Sequence, residues 1–114
     1  VTASVDVRAP TAEQLEALIE AIGFEPAWRQ DPIAMTGPPL DALRAVLPDA
    51  PKLVSGAGHD AMVLAAAGVP TAMLFVRSLK GGISHSPEEH SSDHDIERAV
   101  AVLAGALARL ASVD

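Results

Sequence analysis

One loop of the chain carries a histidine in a setting that suits chemistry. The loop runs from Lys80 to His90, and within it His85 follows a Gly-Gly pair and precedes Pro87 by two residues. A stiff loop that presents an imidazole suits metal ligation or general acid/base catalysis. The spacing alone leaves open the alternative that His85 is an ordinary surface residue.

A second loop combines small residues with a histidine and a carboxylate. It reads Ser-Gly-Ala-Gly-His-Asp-Ala from Ser55 to Ala61 and matches the dinucleotide pattern G-x-G-x-x-A. A dinucleotide site also needs an acidic residue about 20 positions further on to contact the ribose. No acidic residue lies between positions 61 and 87, so the sequence gives little support to dinucleotide binding. The loop can instead expose backbone N–H groups to an anion or a carbonyl oxygen. His59 and Asp60 have the alternative role of starting a helix.

Arg8 is the third candidate, at the end of an alternating segment and two residues before Pro10. A guanidinium can grip a carboxylate through two parallel hydrogen bonds, although most arginines are solvated surface charges. The histidines at 90 and 94 lie among carboxylates that could be imagined as a second metal cluster. We interpret them instead as neighbours of a helix start, which Ser92 or Asp93 would cap.

Composition excludes several classes of protein. The chain has 114 residues, a formal net charge of -7 and no cysteine, so a disulfide scaffold or a thiolate metal site is ruled out. The longest apolar run, 61–67, is far shorter than the ~20 residues of a membrane span, and no secretory signal is evident. Scattered single Lys and Arg argue against nucleic acid or an anionic membrane as partner. We therefore expect a cytoplasmic protein, and the start at Val1 suggests part of something longer.

The elements that would position these loops alternate between strands and helices. We predict strands where the sequence alternates or runs apolar, and helices where apolar residues recur at spacings of three and four. Thr11 with Gln14 has the form of a capping box, and Gly23 is placed to end that helix. The continuous apolar run 71–76 is typical of a strand covered on both faces. The predicted strands are 1–8, 24–30, 52–54 and 71–76, and the predicted helices are 12–22, 40–47, 59–67 and 95–111. This order predicts an α/β fold with parallel strands, with 31–39 as a linker.

Three stretches, taken together and in order, resemble a known family. They are Asp6-Val7-Arg8, Ser55 to Met62, and Gly82-Ile83-Ser84-His85-Ser86-Pro87, and the connecting segment 69–76 also fits. They look like the carboxyl-terminal third of the M20 metallopeptidase family, in its allantoate amidohydrolase and N-carbamoyl-L-amino acid hydrolase branch. The resemblance implies a zinc-exopeptidase-like α/β catalytic domain interrupted by an α+β lid and dimerisation domain. By this analogy residues 1–35 end the lid domain and residues 36–114 belong to the catalytic domain.

The resemblance also implies an activity and a set of site residues. Family members bind two divalent metal ions, zinc first, with manganese, nickel or cobalt as alternatives, and hydrolyse the C–N bond of ureido or carbamoyl substrates that carry a carboxylate. A bound metal ion would activate water and polarise the scissile carbonyl. His85 matches the last metal ligand, Arg8 the arginine that holds the substrate carboxylate, and Gly58 a backbone contact to substrate. His59 and Asp60 lie in the same motif and are both carried over as candidates that face the substrate or support the residues that do, with His59 assigned to substrate binding.

The same resemblance implies what this segment lacks. The other metal ligands, the bridging aspartate and the catalytic glutamate belong to the amino-terminal part of the family. The segment thus contains no catalytic residue and is expected to be inactive alone, within a homodimeric parent enzyme. Alternatives are an aminoacylase or dipeptidase of the same family, a non-catalytic α/β binding module, and a nucleotide-binding domain that rests only on the Gly56 to Ala61 match.

Overall fold

Helices are the regular elements of the chain between residues 1 and 112, the part that the computed structural model describes. Helix α1 spans Ala12–Ile22, α2 spans Pro38–Val46, α3 spans Asp60–Ala66 and α4 spans Asp93–Ala111. The four helices fall where the sequence predicts them, with ends that differ by one or two residues. Helix α2 begins earlier than expected because Pro38 and Pro39 occupy its first turn, where a missing N–H costs no helical hydrogen bond.

The ends of α1 and α4 confirm the predicted caps. The Thr11 hydroxyl accepts a hydrogen bond from the Gln14 N–H at 3.2 Å, and Gly23 ends the helix in the left-handed conformation at φ 74°. Ser92 caps α4, since its hydroxyl accepts from the Asp95 N–H at 3.1 Å. These hydrogen bonds satisfy backbone groups that a helix terminus leaves unpaired.

The four predicted strands are not strands within residues 1–112. A strand requires a neighbour that shares a hydrogen-bond ladder, and in this range no backbone hydrogen bond outside the helices joins two of these segments. The run 71–76 is also not covered on both faces, because Phe75 is 45% exposed and Val76 is 39% exposed. Alternation and apolar runs describe side-chain faces but do not supply a partner. The predicted α/β class therefore stays a prediction.

Packing between regular elements is concentrated in one pair of helices. Among the described residues, α2 against α4 is the helix pair in contact. Ala42 of α2 and Val102 and Ala106 of α4 are buried, and Leu15 of α1 is the other buried apolar residue of the described chain. Small side chains allow the two helices to approach closely: a Cβ added at Gly105 would lie 3.3 Å from both Val46 methyl groups.

Much apolar surface lies outside this core. The Cα radius of gyration is 17.2 Å, whereas a compact domain of this length has about 13 Å. Along α4, one stripe of large apolar side chains is roughly half exposed, formed by Ile96, Val100, Leu103 and Leu107. Within residues 1–112, no helix combines the length and apolar character that a bilayer crossing needs.

The Gly105 contact yields a test of this packing. Gly105→Leu should destabilise the protein by about 1–3 kcal/mol, because the added side chain must push Val46 and α2 away. The measurement is the urea midpoint at unchanged m value. Ala108→Leu, on the exposed side of α4, is the control and should change stability by less than about 0.5 kcal/mol. Equal effects of the two substitutions would show that Gly105 is not a packing contact.

Candidate functional site

Arg8 and the 55–59 loop meet at one groove. The groove has a volume of about 1190 Å³, and its lining includes Arg8, Trp28, Gly56, Gly58 and His59. The Arg8 Nη1 donates a hydrogen bond to the Gly56 carbonyl oxygen at 2.5 Å, across 48 positions of sequence. The structure thus brings together three of the four predicted site residues: Arg8, Gly58 and His59.

Asp6 holds the Arg8 guanidinium from the other side. Arg8 Nη2 donates to Asp6 Oδ2 at 2.6 Å, and Nε lies 3.2 Å from the same oxygen. This hydrogen-bonded pair holds the pKa of the Asp6 carboxyl below its ordinary value and raises the pKa of Arg8. The Arg8 side chain is 58% exposed and that of Asp6 69%, so solvent screens the pair and its value lies in geometry rather than in stability.

The 55–59 loop is closed by its own side chains. The Ala57 N–H donates to Ser55 Oγ at 3.2 Å, and Ser55 Oγ shares a hydrogen bond with His59 Nε2 at 2.7 Å. His59 is the N-cap residue of α3, but its side chain makes no capping bond. Its ring is therefore used to hold the loop. Sequence reasoning missed Ser55, although a serine four residues before a histidine in a small-residue loop is the signal that could have found it.

Glycines 56 and 58 leave the groove side of the loop open. A Cβ added at either position would meet no atom within 4 Å, and neither residue has a left-handed φ. Neither glycine is thus required by the local backbone. Asp60 is the exposed first residue of α3, a helix of seven residues.

His85 lies on a separate loop and does not line this groove. The loop is closed by a hydrogen bond from the Leu79 N–H to the His90 carbonyl oxygen at 2.8 Å. His85 has φ +55°, in the left-handed region where histidine is one of the better tolerated side chains. Its N–H donates to Glu89 Oε2 at 2.8 Å, which holds the backbone in this conformation. The predicted Gly-Gly turn is confirmed by left-handed φ values at Gly81 and Gly82.

The described residues do not form a complete metal centre. Between residues 1 and 112, no three His, Asp or Glu side chains come close enough to hold an ion. A catalytic zinc site usually takes three protein ligands. His85 is exposed and could serve as one ligand of such a set, but it could not hold a metal ion by itself.

The groove concentrates positive charge in an acidic protein. Five of the chain's eight Lys and Arg residues line it, but only three of its fifteen Asp and Glu residues do. The cationic residues are Arg8, Arg44, Lys52, Arg77 and Arg98, and the carboxylates are Asp6, Asp49 and Asp95. This surface favours an anionic ligand. Sequence reasoning missed it because the basic residues are scattered singly and only the fold collects them.

Comparison with known proteins places the chain in a class. The family model described as "Peptidase family M20/M25/M40" matches residues 4–109. The chain belongs to this family, and membership is consistent with a zinc-exopeptidase-like fold.

Individual relatives show which members of the family the chain is similar to. The chain is 47% identical over 60 residues to an allantoate amidohydrolase of Bacillus subtilis, which is 53% of this chain and 14% of that protein. It is 56% identical over 48 residues to an allantoate deiminase of Arabidopsis thaliana, covering 42% of this chain and 9% of the relative. An N-carbamoyl-L-amino-acid amidohydrolase of a Pseudomonas species is 53% identical over 55 residues, covering 48% and 13%.

These relatives are much longer than the matched segment. The chain spans about a tenth of the length of the curated allantoate deiminases that it matches. No solved structure matches the chain significantly.

The Asp6–Arg8 pair predicts a measurable titration. Arg8→Gln should return the Asp6 pKa toward its ordinary value, because the hydrogen bond from the guanidinium is the main cause of the lowered pKa. Since the folded-state pKa is depressed, the small stabilisation from the pair is present above the unfolded-state pKa and is lost as pH falls through the folded-state pKa. NMR titration of the Asp6 side-chain carboxyl measures its pKa in the original protein and in Arg8→Gln.

Arg29→Gln is the matched control for this titration. Arg29 pairs with Glu16 at 2.5 Å and with Asp31 at 2.7 Å, and so its loss should leave the Asp6 titration unchanged. An Asp6 pKa that does not respond to Arg8→Gln would contradict the pairing.

Proposed function

We propose that this chain is the carboxyl-terminal part of a metal-dependent amidohydrolase. The parent enzyme would cleave the C–N bond of a ureido or carbamoyl substrate such as allantoate or an N-carbamoyl-L-amino acid. Family membership and the names of the relatives support this reaction class. We further propose residues 1–35 as the end of a lid domain and residues 36–114 as part of the catalytic domain. We also propose that the parent enzyme is a homodimer and is located in the cytoplasm.

The observation that carries the proposal is the cationic groove with Arg8 beside the 55–59 loop. Asp6 and Gly56 occupy three of the five guanidinium N–H donors, leaving one N–H on each terminal nitrogen. A carboxylate is the natural acceptor for the remaining donors. Arg8 would then anchor the substrate carboxylate.

The loop would supply the second half of substrate binding. Because Gly58 has no side chain and open space above it, a substrate could approach its backbone closely. The Ser55–His59 bond keeps the loop closed before any substrate arrives, which lowers the entropic cost of binding. His59 is proposed as a substrate-side residue on this basis.

The metal side of the proposal rests on His85 alone within this chain. We propose it as one ligand of a two-metal centre, zinc first, whose other ligands come from the remainder of the parent enzyme. A single ligand cannot hold such a centre, so this chain by itself should show no turnover.

The decisive experiment uses the full-length protein that carries this sequence. The protein is prepared with zinc or manganese and assayed for release of ammonia or amino acid from allantoate and N-carbamoyl-L-amino acids, with metal content by elemental analysis. Turnover of one of these substrates with bound metal is the expected result. Failure on every ureido or carbamoyl substrate, together with absence of metal, would refute the proposal.

Further arms separate the alternatives. Hydrolysis of N-acyl amino acids or dipeptides in place of ureido compounds would identify an aminoacylase or dipeptidase. Binding of the substrates by calorimetry without turnover would identify a non-catalytic module. A change in Trp28 fluorescence on adding NAD or ATP would favour the nucleotide-binding alternative.

Substitution of His85 tests the ligand assignment. His85→Ala should lower metal content and reduce turnover by about 100-fold or more, because losing a ligand exceeds the effect of a residue that only supports one. His90→Ala is the matched control on the same loop and should keep both metal and rate. Full metal content and rate in His85→Ala would show that His85 is not a ligand.

Substitution of Gly58 tests the substrate contact. Gly58→Ala should leave the unfolding midpoint unchanged, because the added methyl meets no protein atom. It should raise KM about tenfold or more, since one methyl group in a fitted site costs about 1–3 kcal/mol. Gly23→Ala should show the reverse, lower stability with unchanged KM, because Gly23 has a left-handed φ of 74°. An unchanged KM in Gly58→Ala would remove Gly58 from the site.

A further inference from the structure

We infer that Asp6 is a positioning residue: together with the Gly56 carbonyl it fixes the plane of the Arg8 guanidinium in the orientation that receives the substrate carboxylate. This inference rests on the proposed function. It adds a residue that does not contact substrate but acts through one that does.

The contacts on Arg8 come from one residue that is near in sequence, Asp6, and from one that is remote, Gly56. Arg8 Nε and Nη2 donate to the Asp6 carboxylate at 3.2 and 2.6 Å, and Nη1 donates to the Gly56 carbonyl oxygen at 2.5 Å. Hydrogen bonds from all three nitrogens fix the orientation of the guanidinium plane, which would otherwise change with the side-chain torsions. A flexible arginine would lose this freedom only when substrate binds, and the loss would weaken binding.

Sequence spacing makes Asp6 suitable for this role. Asp6 lies two residues before Arg8, and its carboxylate contacts the guanidinium directly across this short separation. The carboxylate is charged at neutral pH. Both of its oxygens accept from Nε, at 3.3 and 3.2 Å, and Oδ2 also accepts from Nη2 at 2.6 Å, which defines an orientation that a single hydrogen bond would not.

A competing effect of Asp6 has the opposite sign. Its negative charge repels a substrate carboxylate, and it could occupy Arg8 in place of the substrate. Because both side chains are more than half exposed, solvent and salt screen this repulsion, whereas the hydrogen-bond geometry is not screened. Orientation should therefore dominate, and KM should rise when Asp6 is removed.

The test is a KM and kcat comparison in the full-length protein with an N-carbamoyl-L-amino acid as substrate. Asp6→Ala should raise KM about tenfold, the loss expected for one charge-assisted contact, with kcat changed less than about twofold. Asp6→Asn, which keeps one acceptor oxygen, should give a smaller rise, and Asp6→Glu should restore part of the affinity. A substrate analogue with the carboxylate converted to an amide should respond much less.

A double-mutant cycle separates positioning from a general structural role. Arg8→Ala should itself raise KM, and adding Asp6→Ala to it should have little further effect, because the two residues act through one contact. Circular dichroism checks that the variants fold. Should Asp6→Ala not fold, the isosteric Asp6→Asn carries the test.

The outcomes distinguish this inference from the proposed function. A wild-type protein that neither binds nor hydrolyses ureido or carbamoyl substrates overturns both. A wild-type enzyme sensitive to Arg8→Ala, with KM unchanged or lowered in Asp6→Ala and Asp6→Asn, overturns only the role of Asp6. Equal effects on the carboxylate and amide substrates would also overturn it.

Discussion

The packing of α2 against α4 is the contact on which the rest of the described chain depends. It holds residues 38–46 against residues 93–111. The two ends of the segment 47–92, which contains both candidate loops, are therefore held close together. Small residues make the approach close, with Gly105 lying against Val46. The entropy cost of closing a long segment grows slowly with its length, so one helix pair can hold its ends. Hydrogen bonds within that segment then close its two candidate loops.

A single arginine joins this segment to the amino-terminal residues. Among the hydrogen bonds of residues 1–112, the one from Arg8 to Gly56 spans by far the longest sequence separation. It brings a charge from one end of the chain to a loop already closed by Ser55 and His59. His85 lies on a loop closed separately, through Leu79 and His90. In the proposed enzyme the first loop would orient substrate and the second would contribute to the metal centre.

The success of the sequence-based predictions follows the range of the interactions involved. Helix starts and ends depend on hydrogen bonds over three or four residues, so Thr11, Gly23 and Ser92 could be identified from the sequence and are confirmed. A strand depends on a partner elsewhere, and alternation at 1–8 or an apolar run at 71–76 cannot name that partner. These segments are not strands within the described residues, and the predicted domain boundary stays untested.

The sequence by itself determined the helices, the caps of α1 and α4, and the family, because these depend on local hydrogen bonds and on ordered short motifs. The motifs identified Arg8, Gly58, His59 and His85 as candidates but could not say which of them share a site. Only the tertiary structure decided that Arg8 meets the 55–59 loop, that Asp6 holds its guanidinium, and that five dispersed cations line one groove. The physical reason is distance along the chain: contacts between remote residues depend on how the helices pack, and side-chain charge carries no information about that packing.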